Sequence, residues 1–293
     1  MAEIEKNGKI GLIGTGLMGA PIATRLAQEG FSVSVFNRTR QKAERLIGER
    51  ISLADGVSEL LVNCSVILLV LSDAAAIRDI VVDGDNPLSG CTFIQMGTIA
   101  PEESRALAAE FASRGAGYLE APVLGSIPEA KEGNLIVMVG GSETQFVNHY
   151  PIFQALGAEI SHIGDVGAAA ALKLGMNQLI GSLTAAFSVS LGFIQANNVP
   201  VETFMSIVRA SALYAKTYDK KLGRMLDRDF SNPNFSTKHL LKDMRLMEIS
   251  AAQSGVTTET LQGLIKVIQS AIDMGLADTD YSAIFQAIYK LDV

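Results

Sequence analysis

The run Gly14-Thr15-Gly16-Leu17-Met18-Gly19 constrains this chain more than any other feature, because it follows the apolar stretch Lys9–Ile13 directly and opens an amphipathic one. Three glycines at that spacing suit a strand–turn–helix unit. The first lets the chain turn, the second lets a pyrophosphate approach the backbone, and the third lets the helix pack closely on the strand. The amides that begin the helix have no partner within it, so they attract an anion. A GxGxxG can also be an ordinary glycine turn, but here it opens a strand–helix–strand unit near the N-terminus. Residues Gly14, Thr15, Gly16, Leu17, Met18 and Gly19 are therefore expected to hold the phosphates of a dinucleotide.

Apolar runs rich in Ile, Val, Leu and Phe continue to about Gly164, separated by longer amphipathic stretches. They lack strict alternation, which is how parallel strands covered by helices on both faces read. The strand candidates are Lys9–Ile13, Ser32–Phe36, Val66–Leu71, Thr92–Met96 and Leu135–Val139. Helices are expected at Leu17–Glu29, Arg40–Glu49, Pro101–Arg114 and Glu143–Leu156. Pro101 with Glu102 and Glu103 behind it suits a helix start, where a missing donor costs nothing and acids favour the dipole.

After Gly167 the strand-like runs stop and helical periodicity takes over. At 293 residues the chain exceeds what one ordinary core organises. The expected architecture is α/β: a Rossmann-like, doubly wound, mostly parallel sheet over residues 1–165 and an all-helical domain over residues 166–293, joined by a long helix. That helix, Ala168–Asn197, would be about 45 Å long. Its stretch from Leu179 to Ile194 has no charge, but Ser182, Thr184, Ser188 and Ser190 dilute it, so burial between domains or subunits explains it better than a membrane. The apolar surface of the helical domain implies a homodimer or homotetramer.

With 48% hydrophobic and 19% charged residues, the composition is that of an ordered globular protein. A net charge of −7 disfavours nucleic acid and anionic membrane as partners. Cys64 and Cys91 lack CxxC spacing, and His149, His162 and His239 lack the close pairings of a zinc site, so no metal is expected. Met1 to Asn7 contains two glutamates and no apolar run, hence no secretory signal, and a cytoplasmic location is expected.

About twenty residues beyond the glycines, where a carboxylate would bind the ribose of NAD, stands Asn37-Arg38-Thr39-Arg40. Nothing there repels a 2′-phosphate. Arg38 offers it a bidentate guanidinium, and Asn37 and Thr39 offer hydrogen bonds, so NADPH (NADP+) is the expected cofactor. Leu71, ending the third strand candidate, is also placed at this site. The alternative is that Arg38 and Arg40 merely solvate a loop.

Lys173 and Asn177 are four residues apart on the long helix and share one of its faces. A lone lysine on a helix is ordinarily a surface residue. One facing a partly dry cleft at a domain junction would have a lowered pKa and serve as a proton donor near neutral pH.

Four segments together, GLIGTGLMGAPIA, YLEAPVLGS with EGNLIVMVGG, KLGMNQ and FSTKHLLKDMRL, make the chain similar to the beta-hydroxyacid dehydrogenase family over nearly its whole length. The resemblance is closest to the glyoxylate/succinic semialdehyde reductase branch. It implies an NADP-dependent oxidoreductase of small aldehyde or hydroxy acids. By that resemblance Lys173 is the catalytic lysine and Asn177 orients the substrate oxygen. Thr98 borders the nicotinamide and substrate. Lys242 reaches the cofactor, and Phe235 and Asp243 shape the pocket. The bland account of Lys242 is an exposed stripe with Lys238.

One position departs from the family pattern. Where the loop usually reads Ala-Pro-Val-Ser-Gly, this chain has Leu124 after Val123, and leucine cannot donate to a substrate carboxylate. Anchoring would then fall to the amides of Gly125 and Ser126 or to the Ser126 hydroxyl. Losing a donor to a charged group costs about 1.5 to 3 kcal/mol. A 3-hydroxy acid dehydrogenase, an imine reductase-like enzyme and a non-catalytic nucleotide-binding scaffold are the other readings. Lys173 argues against the imine-reducing relatives, which usually lack it, and Lys173 with Asn177 argues against the scaffold.

Overall fold

The first glycine turn leads into a sheet whose strand order reverses beside it. A computed structural model describes residues 8–290. The stretch Met1 to Asn7, on which the expectation about a secretory signal rested, lies outside the described residues. The chain divides into two compact units, Met1–Lys173 and Leu174–Val293.

Among the described residues the first unit carries nine strands: β1 (Lys9–Ile13), β2 (Ser32–Phe36), β3 (Ile51–Leu53), β4 (Val66–Leu69), β5 (Thr92–Gln95), β6 (Gly117–Glu120), β7 (Val123–Leu124), β8 (Leu135–Gly140) and β9 (Gly157–Gly164). Their order is β3-β2-β1-β4-β5-β6-β8-β7, with β9 beside β8. The strands from β3 to β6 pair in parallel, while β8 runs antiparallel to β6 and β7 and parallel to β9. The order reverses between β1 and β4, and in such sheets ligands bind at the carboxyl ends of the strands at that point.

Helices α1 (Gly19–Gln28), α2 (Arg40–Glu44), α3 (Val57–Asn63), α4 (Ala74–Ile77), α5 (Pro101–Ser113), α6 (Ile127–Glu132) and α7 (Glu143–Leu156) complete the unit, with α8 (Ala168–Ala196) beginning at its end. One core packs Leu26, Val35, Leu119, Val137 and Phe153 together; a second packs Leu60, Ile67, Phe93, Leu107 and Phe111. Two cores on one sheet explain the unbroken apolar runs, since residues pointing either way along a strand are buried.

The doubly wound sheet and the helical second unit agree with the sequence expectation. Four strands, β3, β6, β7 and β9, were not anticipated. The helix expected at Arg40–Glu49 ends at Glu44, because Gly48 bridges back to Ile51 and turns the chain into β3. α5 starts at Pro101 as expected, and the Ala100 amide donates to the Glu103 carboxylate at 2.8 Å.

The second unit contains most of α8 with α9 (Val201–Ala210), α10 (Lys216–Asp227), α11 (Thr237–Gln253), α12 (Glu259–Asp273) and α13 (Ile284–Ile288). Leu240, Met244, Leu264, Ile268 and Ile284 form one core, and Phe187, Leu191, Met205, Met225 and Phe285 a smaller one. By length and composition α8 could cross a membrane. Its hydroxyls at Thr184 and Ser188 are buried and donate back to the carbonyls of Ile180 and Thr184, which satisfies them without water. Lys221 on α10 donates to both oxygens of fully buried Asp280 at 2.9 and 2.8 Å, and Asp280 also accepts from the amide and hydroxyl of Ser282. Burial pushes the Lys221 ammonium below its ordinary pKa, and the Asp280 charge opposes that shift.

Candidate active site

At the end of β1 the three glycines differ in what surrounds them. Gly14 has φ +103°, and a Cβ there would stand 2.3 Å from the Val70 carbonyl oxygen. A Cβ at Gly19 would stand 1.8 Å from the Gly14 carbonyl oxygen, so any side chain would drive α1 off the strand. A Cβ at Gly16 would meet nothing within 4 Å. The loop is thus tight where it packs and open where a phosphate would approach. Thr15 Oγ1, buried in the same loop, has no hydrogen-bond partner among the described residues. This cradle fits a dinucleotide diphosphate. Leu71 lies beside Gly14, its Cδ2 3.1 Å from where a Cβ would be.

At the end of β2 the polar residues divide their tasks. Asn37 Oδ1 accepts from the Thr15 amide at 3.0 Å, and Asn37 Nδ2 donates to the Thr39 carbonyl at 2.9 Å. Asn37 therefore ties the glycine loop to its neighbour, and its Nδ2 keeps a second N–H beyond the one given to Thr39. Arg40 is held by Glu44 at 2.9 Å and Asp55 at 3.0 Å. Arg38 is exposed and, with Phe36 and Leu53, lines a cavity of about 180 Å³. Thr39 is exposed at the start of α2.

A larger cavity of about 690 Å³ begins at Thr15, Gly16 and Leu17 and is bordered by Lys42 and Arg45 of the α2 segment and Lys131 of α6. Among the described residues no carboxylate lines it, so it favours anions. Those cations lie in two stretches of sequence away from the glycines, which is why the motif alone did not reveal them.

Thr98 sits half-buried in the loop after β5. Leu124 forms β7 with Val123 and pairs with Ile136 of β8. The Ser126 amide and hydroxyl both donate to the Glu129 carboxylate, at 2.8 and 2.7 Å, closing the first turn of α6. Both Ser126 donors thus serve the helix start. Gly125 is exposed, with φ +130°.

Lys173 is half-buried near the start of α8. In the second unit, buried Asn177 donates through Nδ2 to Asp243 Oδ2 at 2.6 Å, and Lys242 Nζ lies 3.0 Å from Asp243 Oδ1. Asn177, Asp243 and Lys242 thus form one connected polar cluster between α8 and α11. Lys238 instead is exposed and pairs with Asp278, so the two lysines do not make one solvated stripe. The Phe235 ring stacks on His239 at 6.4 Å and meets Tyr281 edge-on at 5.7 Å. His239, 2.7 Å from the Ser236 hydroxyl, is held below the ordinary imidazole pKa by burial first and then by the Lys242 and Lys238 charges.

Comparison with known proteins places the chain in a family. Residues 9–164 match the family described as the NAD binding domain of 6-phosphogluconate dehydrogenase, and residues 167–288 match the NAD-binding domain of NADP-dependent 3-hydroxyisobutyrate dehydrogenase. The chain is 29% identical to glyoxylate/succinic semialdehyde reductase 1 of Arabidopsis thaliana, over 96% of this chain and 98% of that one. It is also 29% identical to the cytokine-like nuclear factor N-PAC of Homo sapiens, where 95% of this chain spans about half of the relative, 51%. A 3-hydroxyisobutyrate dehydrogenase from Salmonella typhimurium has the same fold, with a TM-score of 0.86, 22% identity and coverage of 96% and 99% of the two chains. The chain belongs to the 3-hydroxyisobutyrate dehydrogenase, or beta-hydroxyacid dehydrogenase, family and is an NAD(P)-dependent oxidoreductase acting on CH–OH groups.

Proposed function

We propose that this protein reduces small aldehyde acids with NADPH, glyoxylate and succinic semialdehyde being the leading substrates. The observation that carries the reading is Lys173, half-buried near the start of α8 and four residues before Asn177, whose amide is anchored on buried Asp243. The similarity to an Arabidopsis reductase of those two acids supports the substrate class. Arg38, exposed where an NAD-preferring site would carry an acid, supports NADPH over NADH.

Gly14 to Gly19 would hold the diphosphate and Arg38 the 2′-phosphate. The bound nicotinamide supplies the hydride. The Lys173 ammonium gives its proton to the carbonyl oxygen: the C=O π pair becomes the new O–H bond, and Lys173, left as an amine, regains a proton from solvent. Asn177 is fixed by Asp243 and so presents its remaining amide capacity in one direction, which orients the substrate oxygen. Leu124, together with the commitment of Ser126 to Glu129, favours a second reading in which the preferred carbonyl compound is less polar than glyoxylate.

The test is oxidation of NADPH and of NADH against glyoxylate, succinic semialdehyde, tartronate semialdehyde and methylmalonate semialdehyde. Turnover with NADPH and one of the first two is expected, and Lys173→Ala is expected to lower kcat by about a hundredfold or more while NADPH affinity holds. Parental turnover in Lys173→Ala would remove the mechanism.

We also infer self-association as a dimer or tetramer through α8, whose Leu172, Leu179, Val189 and Phe193 are exposed. Apolar side chains repeated along one helix make a second copy of the same chain the natural partner.

A further inference from the structure

We propose that Glu120 is the positioning residue for Lys173, an inference that rests on the catalytic role of Lys173 given above. Glu120 ends β6 and is 2% exposed, a carboxylate placed where charge is ordinarily absent. Its Oε1 accepts the amides of Gly167 at 2.8 Å, Ala169 at 2.8 Å and Ala170 at 3.1 Å. Its Oε2 accepts the Ser104 hydroxyl of α5, which also lies 2.8 Å from the Tyr118 hydroxyl.

A helix begins with four amides that have no partner inside it. At α8 the amide of Ala168 donates to the Asp165 carbonyl at 3.0 Å, and Glu120 takes the other three. The first amide inside the ladder, that of Ala171, donates to Gly167 at 3.0 Å. The start of α8 is therefore pinned to the end of β6 by one side chain. Lys173 follows Ala169 and Ala170 by four and three residues, so it lies directly above the pinned amides on the next turn. In the other direction Glu120 runs straight into Ala121-Pro122-Val123-Leu124, whose first amide donates to the Gln95 carbonyl at 2.7 Å. One carboxylate thus sets the spacing between the catalytic turn and the candidate substrate loop.

The neighbouring strand is shaped around it. Gly140 of β8 pairs with Glu120, and a Cβ at Gly140 would stand 2.4 Å from Glu120 Oε1. A residue that only neutralised the helix dipole would need charge near the amides, not this fit. Reach is what distinguishes the two roles: glutamine can accept the same amides and donate to Ser104, whereas aspartate keeps the charge but is one methylene short.

The test compares Glu120→Gln with Glu120→Asp in the full chain. A misplacement of about 1 Å costs on the order of a hundredfold in rate, so Glu120→Asp is expected to lower kcat by about thirtyfold or more, with substrate KM within about threefold and NADPH affinity within about twofold. Glu120→Gln is expected to stay within about threefold of the parent. Parental kcat in Glu120→Asp, an equal loss in both variants, or a joint loss of kcat and NADPH affinity overturns the proposal. Should Glu120→Asp fail to fold, Gly140→Ala, which displaces the carboxylate without removing it, is expected to give the same split.

Hydrogen exchange supplies a readout independent of turnover. The amides of Gly167, Ala169 and Ala170 should exchange about tenfold faster in Glu120→Asp, and unchanged exchange overturns the pinning. If Lys173→Ala retained parental turnover while those amides exchanged faster, the catalytic reading would fall and the pinning would stand.

Discussion

Asn37, Arg38 and Arg40 lie within four residues and do three different things, and only their partners tell them apart. Asn37 joins two loops, Arg40 is held by Glu44 and Asp55, and Arg38 faces a cavity. If Arg38 binds a 2′-phosphate, Arg38→Ala removes a charge-assisted pair. It should weaken NADPH by roughly tenfold or more, from about 1.5 to 3 kcal/mol, while NADH affinity changes little. Equal losses for both nucleotides in a binding titration would count against that role. Leu124 permits a second prediction. Leu124→Ser restores a donor beside a loop whose Ser126 is already engaged, and kcat/KM for glyoxylate or succinic semialdehyde should rise about tenfold. An unchanged value would show that the carboxylate is held elsewhere.

Among the elements, those legible in the sequence are the ones whose signal is local. β1 and β2 match their expected bounds because each is an apolar run bounded by turn residues, and α7 runs from Glu143 to Leu156 as expected, and the structure adds a Ser142 cap whose hydroxyl accepts the Gln145 amide. β6 and β7 were missed because they are short and straddle Pro122, and β7 exists only through pairing with β8. The link between Lys221 on α10 and Asp280 is of the same distant kind, 59 residues apart. Asp280→Asn would leave a largely buried ammonium facing a neutral group, so urea unfolding should show a loss of about 3 to 5 kcal/mol. A loss under 1 kcal/mol would mean that the ammonium reaches water in the folded state.

For the molecule as a whole, two apolar cores in each unit account for the interior, and α8 leaves an apolar stripe outside it. Phe193 is 66% exposed, an unusual state for so large a ring. If that stripe is where copies meet, Phe193→Glu should shift the mass measured by light scattering toward the monomer without lowering the helical content seen by circular dichroism. An unchanged mass would place the interface on another surface.

What the sequence by itself determined is whatever a few adjacent residues decide: the glycine turn, the parallel-sheet pattern, the change to helices after Gly167, and the absence of an acid at Arg38. The family resemblance gave Lys173 and Asn177 their roles and added Lys242 and Asp243, and Asn177, Lys242 and Asp243 fall in one polar cluster. Only the tertiary structure decided the partners. Glu120 meets the start of α8 across 47 residues and Asn177 meets Asp243 across 66, and no periodicity or spacing carries such pairings. They arise because a buried polar group must find a complementary one wherever the packed chain brings it, and the cost of leaving it unpaired exceeds any local preference.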